Sequence, residues 1–241
     1  MFTDGRSRRV VFLAHCLLNQ NAISDGTAEV PAAHREILRL ILDAQVSVAQ
    51  MPCPELCCLG LDRGDPKGGE RPVEAENTRI RRAMGQPEAS ARLRELTDQV
   101  VWQIREYQKH GFAVLGIVGM DRSPCCGVNT TSDQDRELPG RGVFIASLRA
   151  ALESAGLTVP VIGIKPSAPE ALDRVLDRAL AGREVRLIRR AEDLSQLQGE
   201  RILFALSLDE AGQNFEYYRM LARLRREPEL LEGCTGGLVV D

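Results

Sequence analysis

Val10-Val11-Phe12-Leu13-Ala14 runs directly into His15-Cys16-Leu17-Leu18-Asn19, an apolar segment closed by a cysteine-bearing turn. Five apolar residues without polar alternation read as a strand buried on both faces, the pattern of a parallel sheet. Two further runs repeat it. Residues 46–49 are followed by Pro52-Cys53-Pro54-Glu55, and residues 112–118 by Ser123-Pro124-Cys125-Cys126-Gly127. In an open α/β sheet, ligands bind beyond the carboxyl ends of the strands. Cys16, Cys53 and Cys126, distant in sequence, are therefore expected to meet at one end of one sheet.

Helical patterns separate these runs. Ile37, Leu38, Ile41 and Leu42 give residues 31–43 an apolar stripe. Residues 74–110 are helical in composition, with Leu93, Leu96, Val100, Val101 and Ile104 on one face and Gly111 as the stop. Residues 143–154 place Phe144, Leu148 and Leu152 inward and lead to a fourth strand at 159–164. Ser167-Ala168-Pro169-Glu170 has the capping-box form that opens a helix, here to about residue 180. Residues 184–188 and 201–206 read as further strands, and a second capping box, Ser207-Leu208-Asp209-Glu210, opens a last helix to about residue 226.

The alternation predicts a doubly wound α/β fold, a mostly parallel Rossmann-like sheet with helices on both faces. Residues 1–206 are expected to form this domain, with 207–241 as an appended helix and tail. The glycine- and proline-rich stretch 59–72 is too long for a mere connection and reads as a lid or binding loop, whereas the polar stretch 129–142 reads as irregular.

Composition narrows the function classes. A chain of 241 residues with 27% charged residues and no apolar stretch near the roughly 18 of a membrane span implies no membrane partner. The apolar segment after residue 9 is short and lacks a small-residue cleavage site, so a cytoplasmic location is expected. There, seven cysteines favour metal or catalytic roles over disulfides. Net charge is −3 and basic residues are interleaved with acids, which argues against a nucleic-acid partner. Phosphate-binding, zincin and nucleophile-elbow motifs are all missing from the sequence.

Thiolates select zinc, copper(I) or iron–sulfur clusters. Structural zinc usually takes four ligands, often from close C-x-x-C pairs, and three cysteines on separate turns do not match that spacing. On a cubane, three cysteines leave one iron open, as metal catalysis requires. Cys125 is expected to point away from Cys126, and Cys57, Cys58 and Cys234 read as ordinary small buried side chains. His15, Asn19, Asp25, Glu55, Asp121 and Ser123 lie near the same strand ends and suit proton transfer or orientation. Glu55 is the favoured acid. Asp25-Gly26 is equally a common turn pair, Asp121 and Ser123 can close Asx or Ser turns, and His15 can be a hydrogen-bonded loop residue or a fourth ligand. A different class remains open, a non-catalytic zinc or thiol-based redox or metal sensor built on the vicinal pairs Cys57-Cys58 and Cys125-Cys126.

Taken together, His15-Cys16-Leu17-Leu18-Asn19, Asp25-Gly26, Cys53-Pro54-Glu55 and Ser123-Pro124-Cys125-Cys126-Gly127 resemble the motifs of the thiouracil desulfidase family and the related desulfidases grouped with it, over residues 9–155. The resemblance implies a [4Fe-4S] cluster on Cys16, Cys53 and Cys126 and removal of sulfur, without redox change, from a thiolated small molecule such as 2-thiouracil. It implies that Glu55 or Asp25 handles the proton and that Ser123 and Asn19 orient the heterocycle. Asn19 stands where well-known members carry Gly, Cys125 replaces a Ser, and residues 60–72 differ from the family's segment.

Overall fold

Arg9–Leu13 forms β1, and Val10 through Leu13 are buried on both faces, as their unbroken apolar character requires. In this computed structural model β1 is central, flanked by β2 (Ser47–Gln50) and β3 (Ala113–Met120). A fourth strand, here numbered β6 (Val161–Ile164), pairs with β3, so the parallel order is β2-β1-β3-β6. The structure describes residues 2–165, 185–188, 201–204, 223–224, 227 and 235–237.

The order positions the site. From β1 the chain moves to one side for β2, then returns past β1 to β3 and on to β6. Right-handed crossovers put the helix between β1 and β2 on one face, and those preceding β3 and β6 on the other. The reversal between β1 and β3 leaves a crevice at their carboxyl ends. Short helix α1 (His15–Leu18) follows β1, and α2 (Arg35–Asp43) leads to β2. After β2 comes α3 (Pro54–Leu59), with Pro at its first position.

Residues 74–110 are two helices, α4 (Val73–Met84) and α5 (Pro87–Lys109), not one. Pro87 lacks an amide proton and its ring clashes with a preceding helical turn, so it starts a helix instead of continuing one. Gly111 follows α5 at φ +77, the left-handed stop that its position predicts. Helix α6 (Val143–Ser154) packs on α5 and buries Phe144, Ile145 and Leu148.

The polar stretch 129–142 is ordered. It forms an antiparallel hairpin, β4 (Thr130–Asp133) with β5 (Arg136–Pro139), turned through Gln134 and Asp135 at φ +52 and +55. Two consecutive positive φ values are the geometry of a two-residue primed turn.

The chain divides into two compact units, Met1–Pro166 and Ser167–Asp241. In the second, β7 (Val185–Ile188), β8 (Arg201–Phe204) and β9 (Thr235–Gly237) pair in parallel in that order. The boundary expected at 206, both capping boxes, the helix at 169–180, the helix at 207–226 apart from residues 223–224, and Cys234 lie outside the described residues. Among the described residues, no helix is long and apolar enough to cross a membrane.

Candidate metal centre

Cys16 lies in the first turn of α1, immediately past β1. The Ala14 amide bonds the Val118 carbonyl of β3, and the Met51 amide bonds Leu13, so the ends of three strands are tied together under this turn. Cys53 caps α3, its Sγ accepting from the Leu56 amide at 3.5 Å. Cys126 sits in a loop folded around Ser123, whose Oγ accepts from the amides of Cys125 (3.2 Å) and Cys126 (2.9 Å). The loop admits no side chain at Gly127, where a Cβ would strike the Thr130 and Ser123 carbonyls.

Burial dominates the electrostatics of the three thiols. Burial pushes Cys16 up to about 12, with Cys53 and Glu55 adding to the effect. Burial also raises Cys53, to about 11, followed by Glu55, and the Leu56 amide and Arg63 oppose the rise. Cys126 is held well above the ordinary thiol value by burial, then by Cys16 and Cys53. Burial of this kind favours the protonated thiols, and a bound metal is what deprotonates a coordinating thiol outright. Among the described residues, no three His, Cys, Asp or Glu side chains are grouped as one metal ion requires.

Beside the thiols is a buried ion pair that the sequence did not announce. Glu55 Oε2 accepts from Ser24 Oγ at 3.1 Å and from Arg63 Nε at 3.2 Å. Arg63 is 3% exposed and adopts φ +55 within the 59–72 stretch. Its Nη1 donates to the Gly60 and Leu61 carbonyls, and its Nη2 to the Ala22 carbonyl at 2.5 Å and Cys53 Sγ at 3.8 Å. All the donors of the guanidinium fork thus have acceptors, and one side chain knits the loop, Glu55 and Cys53 together.

Cys125 is fully buried, and burial followed by the Glu55 charge raises its thiol well above the usual range. Gly142 makes room for this turn, since a Cβ there would meet the Cys125 carbonyl group.

The other expected residues divide by what their side chains already do. Asp121 accepts from the Val128 and Asn129 amides and from the Asn129 side chain, which makes it a loop-former. Asn19 caps a 3-10 turn through Asn21 and donates to His15 Nε2 at 3.3 Å. His15 is half-buried; burial lowers its pKa, the Met51 carbonyl partly opposing this and Arg63 reinforcing it. Asp25 is exposed, accepts from the Gly26 amide and abuts Gly69, where a Cβ would strike its carboxylate. Cys57 is exposed on α3, while burial and then Cys57 raise Cys58, which faces Arg92 and Glu95 of α5.

A cleft of about 540 Å³ opens over this ion pair, with Ser24, Asp25, Arg63 and Glu76 among its walls. Helix α4 braces it. Arg79 Nη2 holds the Arg63 carbonyl at 3.0 Å and pairs with Glu76 at 2.6 Å, and Arg71 pairs with both Glu76 and Asp65. Two residues on, Arg81 Nη1 donates to the carbonyls of Pro124 and Arg141 and to Thr131 Oγ1.

Comparison with known proteins leaves this geometry without a named counterpart. The uncharacterized protein MJ0003 of Methanocaldococcus jannaschii is a distant homologue, 24% identical over 157 residues that make up 65% of this chain and 86% of that one. No family model matches. No solved structure matches either.

Proposed function

We propose that Cys16, Cys53 and Cys126 hold a [4Fe-4S] cluster and that the chain removes sulfur from a thiolated small molecule of the 2-thiouracil kind. The observation that carries this reading is the placement of three cysteines on the turns that follow β1, β2 and β3, whose ends are tied together by the Ala14–Val118 and Met51–Leu13 backbone hydrogen bonds. The motif resemblance over residues 9–155 points the same way. When bound, such a cluster supplies a Lewis-acidic iron with a position the protein leaves free.

The reaction exchanges a thiocarbonyl for a carbonyl. Water oxygen bonds to the carbon, the carbon–sulfur bond breaks with its electron pair on sulfur, and hydrosulfide leaves, so no electrons are gained or lost. Glu55 is the base in this reading: Ser24 and Arg63 fix the orientation of its carboxyl group. Asp25, exposed on the cleft wall, passes the proton to solvent. Ser123 keeps its hydroxyl proton after accepting two amides and can donate it to the heterocycle. Asn19 has both ends of its amide engaged and contributes by fixing His15. A cytoplasmic setting belongs to the same reading.

Anaerobic purification tests it. About four irons and four sulfides per chain, with uracil and sulfide formed from 2-thiouracil, are expected, and Cys126→Ala should lose both. Iron-free, colourless protein after anaerobic reconstitution overturns the reading. One zinc per chain without sulfide release would favour the sensor.

A further inference from the structure

A second cleft, of about 630 Å³, opens at the opposite end of the sheet, where β1 and β2 begin. Its volume lies in the range of about 300–1,000 Å³ typical of small-molecule sites. Arg6, Arg8 and Arg9 line it together with Trp102, Tyr107 and Phe112. Trp102 is 62% exposed on α5, a costly place for the one tryptophan of the chain. Tyr107 and Phe112 are already packed together, with ring centroids 5.6 Å apart.

The three arginines differ in what holds them. Arg6 is paired to Asp4 and lies over the Phe2 ring at 4.0 Å. Arg8 donates to the Phe2 carbonyl and takes φ +57, uncommon for a residue with a side chain. Arg9 Nη1 is buried and has no hydrogen-bond partner among the described residues. Glu106, the acid in the cleft, is paired with Lys109 at 3.3 Å and His110 at 3.4 Å. The carbonyls at the end of α5 favour nearby cations, but this does not supply an acceptor for a buried guanidinium nitrogen, which natural proteins rarely leave unmet.

We propose that this cleft is a second ligand site, for an organic anion that carries a flat ring, of which a nucleoside monophosphate is the type. The anionic group sits on Arg9, and the ring lies against Trp102. Arginine suits phosphate or carboxylate geometry, and an exposed indole face is a stacking platform for any planar base. The two recognition elements are on separate chain segments, so neither half of the ligand alone reproduces the pair of contacts. The site is independent of the sulfur chemistry at the other end of the strands.

Because Trp102 is the chain's one tryptophan, its fluorescence reads this cleft without background. AMP titrated into the purified chain should quench it saturably, while adenosine and inorganic phosphate should each bind at least about tenfold more weakly. Arg9→Gln should weaken AMP about tenfold or more, the loss of a charge-assisted contact. Trp102→Leu, read by calorimetry, should weaken AMP about fivefold or more through lost stacking. Absence of saturable quenching by AMP overturns the proposal. So do equal affinities for AMP and phosphate, an adventitious ion only, and an unchanged AMP affinity in both variants. Tighter binding of a single-stranded oligonucleotide than of AMP, by about tenfold or more, would make the cleft a nucleic-acid surface and overturn the small-ligand assignment.

Discussion

Arg63 Nε stands 3.2 Å from Glu55 Oε2, with the two side chains only 2% and 10% exposed. Removing one member of a buried pair strands the other charge. Arg63→Ala is expected to lower the unfolding free energy by about 3–5 kcal/mol, measured by urea denaturation. Arg63→Lys should recover only a small part, since one ammonium cannot reach the five acceptors that the fork serves.

Iron content should separate the cysteines into two groups. Cys16→Ala, Cys53→Ala and Cys126→Ala are each expected to abolish stable iron retention under anaerobic purification. Cys58→Ala, on the α3 face turned to α5, should keep full iron. Loss of iron from Cys58→Ala with retention in Cys16→Ala would move the centre elsewhere.

Ser123 is both a loop-former and a candidate substrate donor, and one variant distinguishes the roles. Ser123→Ala deletes the acceptor of two amides in the Cys125–Cys126 turn and should cost about 1–3 kcal/mol, seen as a lower denaturation midpoint. Iron that binds normally in this variant, with sulfide release lost, would assign Ser123 to the substrate; iron lost in parallel with stability would assign it to the turn.

Glu76 should make stability depend on acid. The Arg79 side chain beside it holds its carboxyl below the ordinary glutamate value of 4.5, burial opposing this and Arg71 assisting. A carboxyl with a lowered folded value binds fewer protons folded than unfolded. Its contribution is therefore complete above pH 4.5 and is lost as pH falls toward and through the folded value. Denaturation midpoints should decline across that acid range in the natural protein, and Glu76→Gln should flatten the decline.

Much of the fold could be read from periodicity because β1 and β3 are buried on both faces and so carry continuous apolar runs. The hairpin at 130–139 could not. Its buried residues, Thr131 and Ser132, are polar side chains satisfied by the Ser123 and Arg122 carbonyls, which leaves no apolar alternation to notice. Gly85 and Pro87 mark the break before α5 in the sequence, within a stretch whose composition is otherwise helical. At the site, the cysteines were visible as turn residues after strands. Arg63 was not, because its role depends on acceptors from residues 22 to 61 that only the folded loop gathers. The turn that carries Cys125 and Cys126 was not legible either, because its shape depends on one serine oxygen that accepts both amides and leaves both residues buried.

Helix α4 grips the loop that carries Arg63 through Arg79 and the turn that carries Cys126 through Arg81. A stiff rod fastened at both places transmits displacement from one to the other. Whatever pries the 61–68 segment outward also tugs at Pro124, so the mouth of the cleft and the turn that bears Cys126 are mechanically geared.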